Sequence, residues 1–188
     1  MSSMVDTHIL SYALYLPNGR EDAKLAAMID CSKQLIRISR VVRVSSPTWT
    51  EICRFKAPTG ERAVAKLAEK IRVIPLTGAM ASRAAELLDK RNKPESVCKK
   101  CLNSKAEPYK CVQCSKLISP QQRIADAMIA ASAELTKDID TLYSYDGGLL
   151  EFAPHVKRIR IVEPDQDHGP LWERLKHPSE DASPSAVT

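Results

Sequence analysis

Four acidic residues stand in apolar surroundings where a folded chain has little use for charge. Asp6 lies in "MVDTHILSYAL", Glu51 in "PTWTEICR", Asp126 in "RIADAMIAASAEL" among Ile124, Met128 and Ile129, and Asp146 closes "TLYSYD" ahead of Gly147 and Gly148. A buried carboxylate without compensation is expensive to desolvate, so each position calls for a partner, a proton or a metal. Carboxylates brought together at one place repel one another unless cations intervene. Hard oxygen ligands suit Mg²⁺ or Mn²⁺, which keep bound waters and bind phosphates directly. Such ions activate water and stabilise the leaving oxygen of an in-line phosphoryl displacement. Each acid also has an ordinary alternative role. Asp6 caps a following helix, Glu51 faces solvent, Asp126 pairs with Arg123, and Asp146 serves a turn.

A second constellation is made of sulfur. "VCKKCLNSKAEPYKCVQC" places Cys98, Cys101, Cys111 and Cys114 in a C-x2-C-x9-C-x2-C array. Two C-x2-C knuckles close a tetrahedral Zn²⁺ site with no open position, so this zinc would be structural. The alternative is a pair of disulfides or four idle thiols. The same segment is basic: from Arg91 to Lys116 there are seven Lys and Arg residues and two Glu, so it carries the chain's whole net charge of +5. With few apolar residues, the insert would take its folding energy from metal binding. Cys31 and Cys53, outside the array, read as small buried hydrophobes.

These groups must be positioned by the rest of the chain. Its 188 residues suffice for one domain of ordinary size, and 44% hydrophobic with 27% charged residues fits a globular protein. No apolar run approaches the roughly 20 residues of a membrane span. "ILSYALYL" lacks the basic lead and small-residue cleavage site of a signal peptide. Six cysteines without a secretion signal point to a reducing compartment, and the expected location is cytoplasmic. Strand and helix patterns alternate. "SMVDTH" predicts a strand ending at Asp6, and a helix begins at "ILSYAL". "GREDAKLAAMIDCSKQLIRISR" predicts a helix with acids early and basic residues late, as the helix dipole favours. "VVRVSS" predicts a strand, and "SPTWTEICR" a helix capped by Ser46 with Pro47 in its first turn. Further helices are predicted at "TGERAVAKLAEKI", "TGAMASRAAELLDKRN" and "SPQQRIADAMIAASAELTKD", and strands at "RVIPL", "DTLYSYD" and "VKRIRIV". The alternation implies an α/β protein with a parallel sheet covered on both faces, and ligands in such sheets bind outside the carboxyl ends of the strands.

The order and surroundings of the four acids resemble the PIN-domain family of metal-dependent nucleases, which includes the VapC toxins. "VDTHILSYAL" is similar to that family's opening strand-helix motif, with Asp6 as the metal-binding acid and Thr7 as its hydroxyl neighbour. "VRVSSPTWTEICR" resembles the segment that delivers a Glu, here Glu51. "ADAMIAASAEL" resembles the helix of the third acid, Asp126. "TLYSYDGGLLEF" resembles the strand end that supplies Ser144 and Asp146. The resemblance runs from about Met4 to Val162 and implies a three-layer α/β/α sandwich. It further implies hydrolysis of RNA phosphodiesters with Mg²⁺ or Mn²⁺, Asp6 and Asp126 holding the principal ion, Glu51 orienting water or a second ion, and Asp146 completing the ring. Many relatives carry another acid or Asn two residues after the fourth acid; this chain has Gly148 there. A VapC-like protein would also have an antitoxin partner and could form a homodimer.

The expected organisation is a PIN-like nuclease domain over 1–163, interrupted by a zinc ribbon at 94–117, with a flexible tail over 164–188 that contains Trp172. The ribbon is an addition to the family's basic plan. Its Lys99, Lys100, Lys105 and Lys110, with Arg123 beyond, are candidate contacts to the RNA backbone; the alternative is a solvated scaffold. Two other functions share the same residues. One is a PIN-fold nucleic-acid-binding or scaffold protein that cuts weakly or not at all, and the other is a structure-specific DNA nuclease.

Overall fold

The parallel sheet grows outward from its first strand. In a computed structural model of the chain, the described residues are 2–54, 65, 67–91, 109–110, 117–118 and 120–166. Strand β1 (Ser2–Val5) is flanked by β2 (Val42–Ser45) on one side and β6 (Ile139–Tyr143) on the other; β3 (Ile71–Ile74) and β7 (Arg160–Val162) complete the order β3-β2-β1-β6-β7, all pairs parallel. Strand order therefore reverses between β1 and β6. Helices α1 (Thr7–Ala13), α2 (Ala23–Ile38), α3 (Ser46–Arg54), α4 (Gly78–Arg91) and α5 (Pro120–Leu135) connect the strands, as parallel pairing requires. This is the three-layer α/β/α sandwich around a parallel sheet that the sequence predicts.

Alternation along the strands divides the core into two clusters. Met4 and Leu142 face one side, where they meet Ala84 and Leu87 of α4, Ala127, Ala130 and Ala131 of α5, and Phe152. Their neighbours Val5 and Tyr143 face the other, with Val44, Ile9, Leu10, Leu35 and Ile52. Strands covered on both faces explain why they read as short apolar runs. The alanines of α5 at 127, 130 and 131 form the helical spacing of one buried face, and their small size lets the helix lie close to the sheet.

Local boundaries differ from the sequence expectation in informative ways. Strand β1 ends at Val5 and β6 at Tyr143, so Asp6 and Asp146 lie just past the strands, each as the N-cap of a helix. The second of these is a four-residue helix, α6 (Gly147–Leu150), which the sequence reading leaves as a turn. Helix α3 takes its first-turn hydrogen bond on Ser45, whose Oγ accepts from Thr48 N, while the Ser46 hydroxyl donates to the Ile74 carbonyl of β3. Cys31 is buried as expected; Cys53 is exposed, because α3 turns that side away from the sheet. A short antiparallel pair, β4 (Tyr109–Lys110) with β5 (Leu117–Ile118), precedes α5. Cys98, Cys101, Cys111, Cys114, Lys99, Lys100, Lys105 and the tail from 167 lie outside the described residues. Among the described residues no helix is long and apolar enough to cross a membrane.

One buried ion pair ties the helical layer to the segment that precedes β7. Glu134, 4% exposed, accepts two hydrogen bonds from Arg83 of α4, at 2.7 and 3.2 Å, and a third from the Lys157 backbone N–H; Arg83 also donates to the His155 carbonyl. Burial pushes the Glu134 carboxyl up, but the Arg83 and Lys157 hydrogen bonds outweigh it and hold the group below its ordinary value of 4.5. Glu134→Gln removes the buried counter-charge of Arg83 and leaves it only the exposed Glu86, at 2.8 Å, so it is expected to cost about 2 kcal/mol in urea unfolding at neutral pH. Because the folded carboxyl is depressed, the pair's contribution is complete above the ordinary carboxylate range and is lost as pH falls through the folded value. The gap between wild type and variant should therefore narrow in acid.

Candidate active site

The site begins with register. Val5 lies opposite Tyr143, so the next residues, Asp6 and Ser144, emerge side by side where strand order reverses. In open α/β sheets this is where ligand crevices form. The Asp6 backbone N–H donates to the Tyr143 carbonyl, which extends the pairing by one step and holds the carboxylate at the sheet edge.

Asp6 is 2% exposed, and its two oxygens are occupied differently. Oδ1 accepts from the Ile9 backbone N–H at 3.1 Å, which caps α1. Oδ2 accepts from the Ser144 hydroxyl at 2.5 Å. The capping role and the chemical role are thus compatible, one oxygen for each. Ser144, fully buried, also accepts from the Asp146 backbone N–H at 2.8 Å, so a single hydroxyl links the two acids that follow β1 and β6. Asp146 in turn accepts from the Gly148 N–H at 2.6 Å.

Asp126 arrives from the opposite side. It is 7% exposed on α5, whose buried alanines fix the helix backbone against the sheet. Its Oδ2 and Oδ1 of Asp146 both border the bare Cα of Gly148: a Cβ there would lie 2.8 Å from the first and 3.0 Å from the second. Glu51 is exposed on α3 and joins the group through Thr7, whose hydroxyl donates to Glu51 Oε2. The structure therefore brings Asp6, Ser144, Asp146 and Asp126 around one crevice, with Thr7 and Glu51 at its edge. Lys110 belongs to β4, and Arg123 lies one turn before Asp126 on α5.

His8 is the neighbour that sequence reasoning missed. Its Nδ1 lies 3.5 Å from Asp6 Oδ2 and 3.7 Å from Asp146 Oδ2. Asp6 beside it raises the imidazole above its ordinary range against the opposing effect of burial, and the charges of Asp6, Asp146 and Asp126 add to the rise. The ring thus registers a negative field with three sources. Tyr12, one turn along α1, faces His8 with ring centroids 6.3 Å apart and packs edge-on against Tyr145 at 5.8 Å. A lone His with no ligand-spaced His or Cys partner gives no sequence signal; only its i+2 offset from Asp6 hinted at it.

Carboxylate oxygens dominate the donor set, with the His8 Nδ1 beside two of the acids, and Asp126 and Asp146 close on Gly148 so tightly that a Cβ there would lie 2.8 and 3.0 Å from their oxygens. Among the described residues no three His, Cys, Asp or Glu side chains stand close enough together to enclose an ion as they are. Magnesium does not require such a cage, since one or two carboxylates with waters and substrate phosphate are its usual protein ligands. Asp6, Asp126 and Asp146 fit that requirement.

A parallel sandwich with acids at its switch point defines the class of protein. The chain belongs to the PIN domain family, which matches residues 3–153. No curated protein matches it. Among solved structures it is similar to VapC20 of Mycobacterium tuberculosis, a sarcin-ricin loop cleaving toxin, at 20% identity and TM-score 0.47, covering 85% of this chain and 99% of that one. It is also similar to VapBC2 of Rickettsia felis bound to a DNA fragment from its promoter, at 15% identity and TM-score 0.48, covering 87% and 98%.

Ser144→Ala removes the hydroxyl that compensates buried Asp6 and anchors Asp146. It is expected to lower the unfolding free energy by about 2 kcal/mol in chemical denaturation, the cost of a buried acceptor left unsatisfied.

Proposed function

We propose that this protein is a divalent-metal-dependent ribonuclease. The observation that carries this reading is the meeting of Asp6, Asp126 and Asp146 around one crevice at the strand-order reversal, with His8 beside two of them. Asp6 and Asp126 would hold the principal Mg²⁺ or Mn²⁺. When bound, the ion supplies an activated water and charge stabilisation for in-line displacement at phosphorus. The residues themselves have separable tasks. Ser144 holds the Asp6 carboxylate in place and ties it to Asp146. Gly148 N–H orients Asp146. Glu51, at the exposed edge, would orient the attacking water, and Thr7 fixes its carboxylate.

Substrate class rests on charge. A negative crevice repels a phosphodiester until a cation is bound, so affinity for nucleic acid must come from basic groups around it. The +5 segment, with Lys99, Lys100, Lys105 and Lys110, and Arg123 on α5 are the candidates. The cysteine array would hold a structural zinc that shapes this segment; the β4–β5 pairing flanks Cys111 and Cys114 in the chain, where a knuckle belongs. By the PIN and VapC resemblance, a small protein antitoxin would cover the acidic crevice.

Two measurements test this. Purified protein should cleave single-stranded RNA with Mg²⁺ or Mn²⁺ and stop with chelator, and Asp6→Asn or Asp126→Asn should lower the rate at least a hundredfold. Cleavage of DNA flaps in preference to RNA would move the substrate class; equal cleavage by wild type and Asp6→Asn would refute the site. Elemental analysis should find about one zinc per chain, lost when Cys98 and Cys101 are replaced by Ser.

A further inference from the structure

Gly147 and Gly148 look equivalent in sequence, a pair of glycines after an acid at a turn. The structure separates them. A Cβ on Gly147 would meet nothing within 4 Å. A Cβ on Gly148 would press on Asp126 Oδ2 at 2.8 Å and Asp146 Oδ1 at 3.0 Å, with Asp126 Cγ at 3.8 Å. Backbone conformation does not demand glycine there: among the described glycines only Gly19 has positive φ. The need for a bare Cα at 148 is set by the two carboxylates that border it.

We propose that Gly148 is a positioning residue of the acidic crevice, its missing side chain being what lets Asp126 and Asp146 approach from opposite sides. The proposal rests on the metal-nuclease reading above. The asymmetry of the two neighbours decides which one yields to an intruding side chain. Asp146 Oδ1 is held by the Gly148 N–H at 2.6 Å and its own N–H is held by Ser144, so displacing it breaks the cap of α6. Asp126 hangs from a helix whose backbone is fixed by buried alanines, and its carboxylate must rotate away. Because what moves is a side-chain end, the fold survives the substitution while the ligand geometry does not.

This gives the chain's departure from its relatives a physical meaning. The resemblance places an acid or Asn at position 148, and Gly148→Asp would then be the obvious repair. Here its Cβ would push Asp126 Oδ2 and Asp146 Oδ1 out of their present positions, and that loss of ligand geometry outweighs the attraction a further negative charge offers a cation. The repair should weaken cation binding instead of strengthening it. The crevice would be built for fewer ligands and one principal ion, with the volume at 148 left open.

The test titrates Mn²⁺ into full-length protein by calorimetry and records thermal unfolding of each variant without metal. Gly147→Ala is the matched control and should bind as wild type does. Gly148→Ala should still unfold cooperatively and close to the wild-type temperature, since what it displaces is a side-chain end, yet bind Mn²⁺ at least tenfold more weakly, the usual penalty for disturbing ligand orientation. Gly148→Asp should be weaker than wild type by at least as much. Wild-type affinity in Gly148→Ala, tighter binding in Gly148→Asp, or a Gly148→Ala protein that fails to fold would overturn the positioning role while leaving the nuclease reading intact. Absence of Mn²⁺ binding in wild type would overturn both.

Discussion

Desolvation of the Asp6 carboxylate is the constraint to which the rest of the structure answers. A carboxylate 2% exposed at the end of a central strand would be ruinous alone. It persists because Ile9 N–H meets one oxygen, the Ser144 hydroxyl meets the other, and His8 stands beside the second. Those partners exist only if β1 pairs with β6 in one register. A slip by one residue would send Ser144 to the opposite face and leave the acid unsatisfied. Sheet register and site geometry are therefore the same fact viewed at two scales.

The surrounding fold explains why so much charge is tolerated in so small a volume. Two apolar clusters, one on each face of the sheet, supply the burial, and the alanine face of α5 brings Asp126 close without a bulky intermediary. Electrostatic demands are then settled locally. Backbone N–H groups of short helices α1 and α6 take up carboxylate oxygens, and a single hydroxyl spans the gap between them. Far from the crevice, Glu134 and Arg83 follow the same rule, charge against charge with every remaining oxygen hydrogen-bonded.

Much of this was legible in the residues. The alternation of short β-branched runs with amphipathic helices predicts the parallel sandwich, and the order Asp6, Glu51, Asp126, Asp146 with its flanking motifs predicts membership of the PIN domain family. Boundaries were less legible, since capping decides them: Asp6 and Asp146 terminate strands only in the sense that they begin helices. Ser45 and Ser46 divide their labour in a manner that a Ser-Pro signal does not reveal, because the Ser46 partner, the Ile74 carbonyl, is distant in sequence.

By itself the sequence determined the element types, the parallel layering, the acids and the hydroxyls beside them, and the cysteine spacing of the insert, because these depend on periodicity and residue chemistry within a few positions. Only tertiary structure decided that His8 faces two of the acids, that Ser144 bridges Asp6 to Asp146, and that Gly148, unlike Gly147, borders Asp126. Each of those is a distance between side chains carried by different strands and helices. Such distances are set by strand register and helix docking, which no local pattern records.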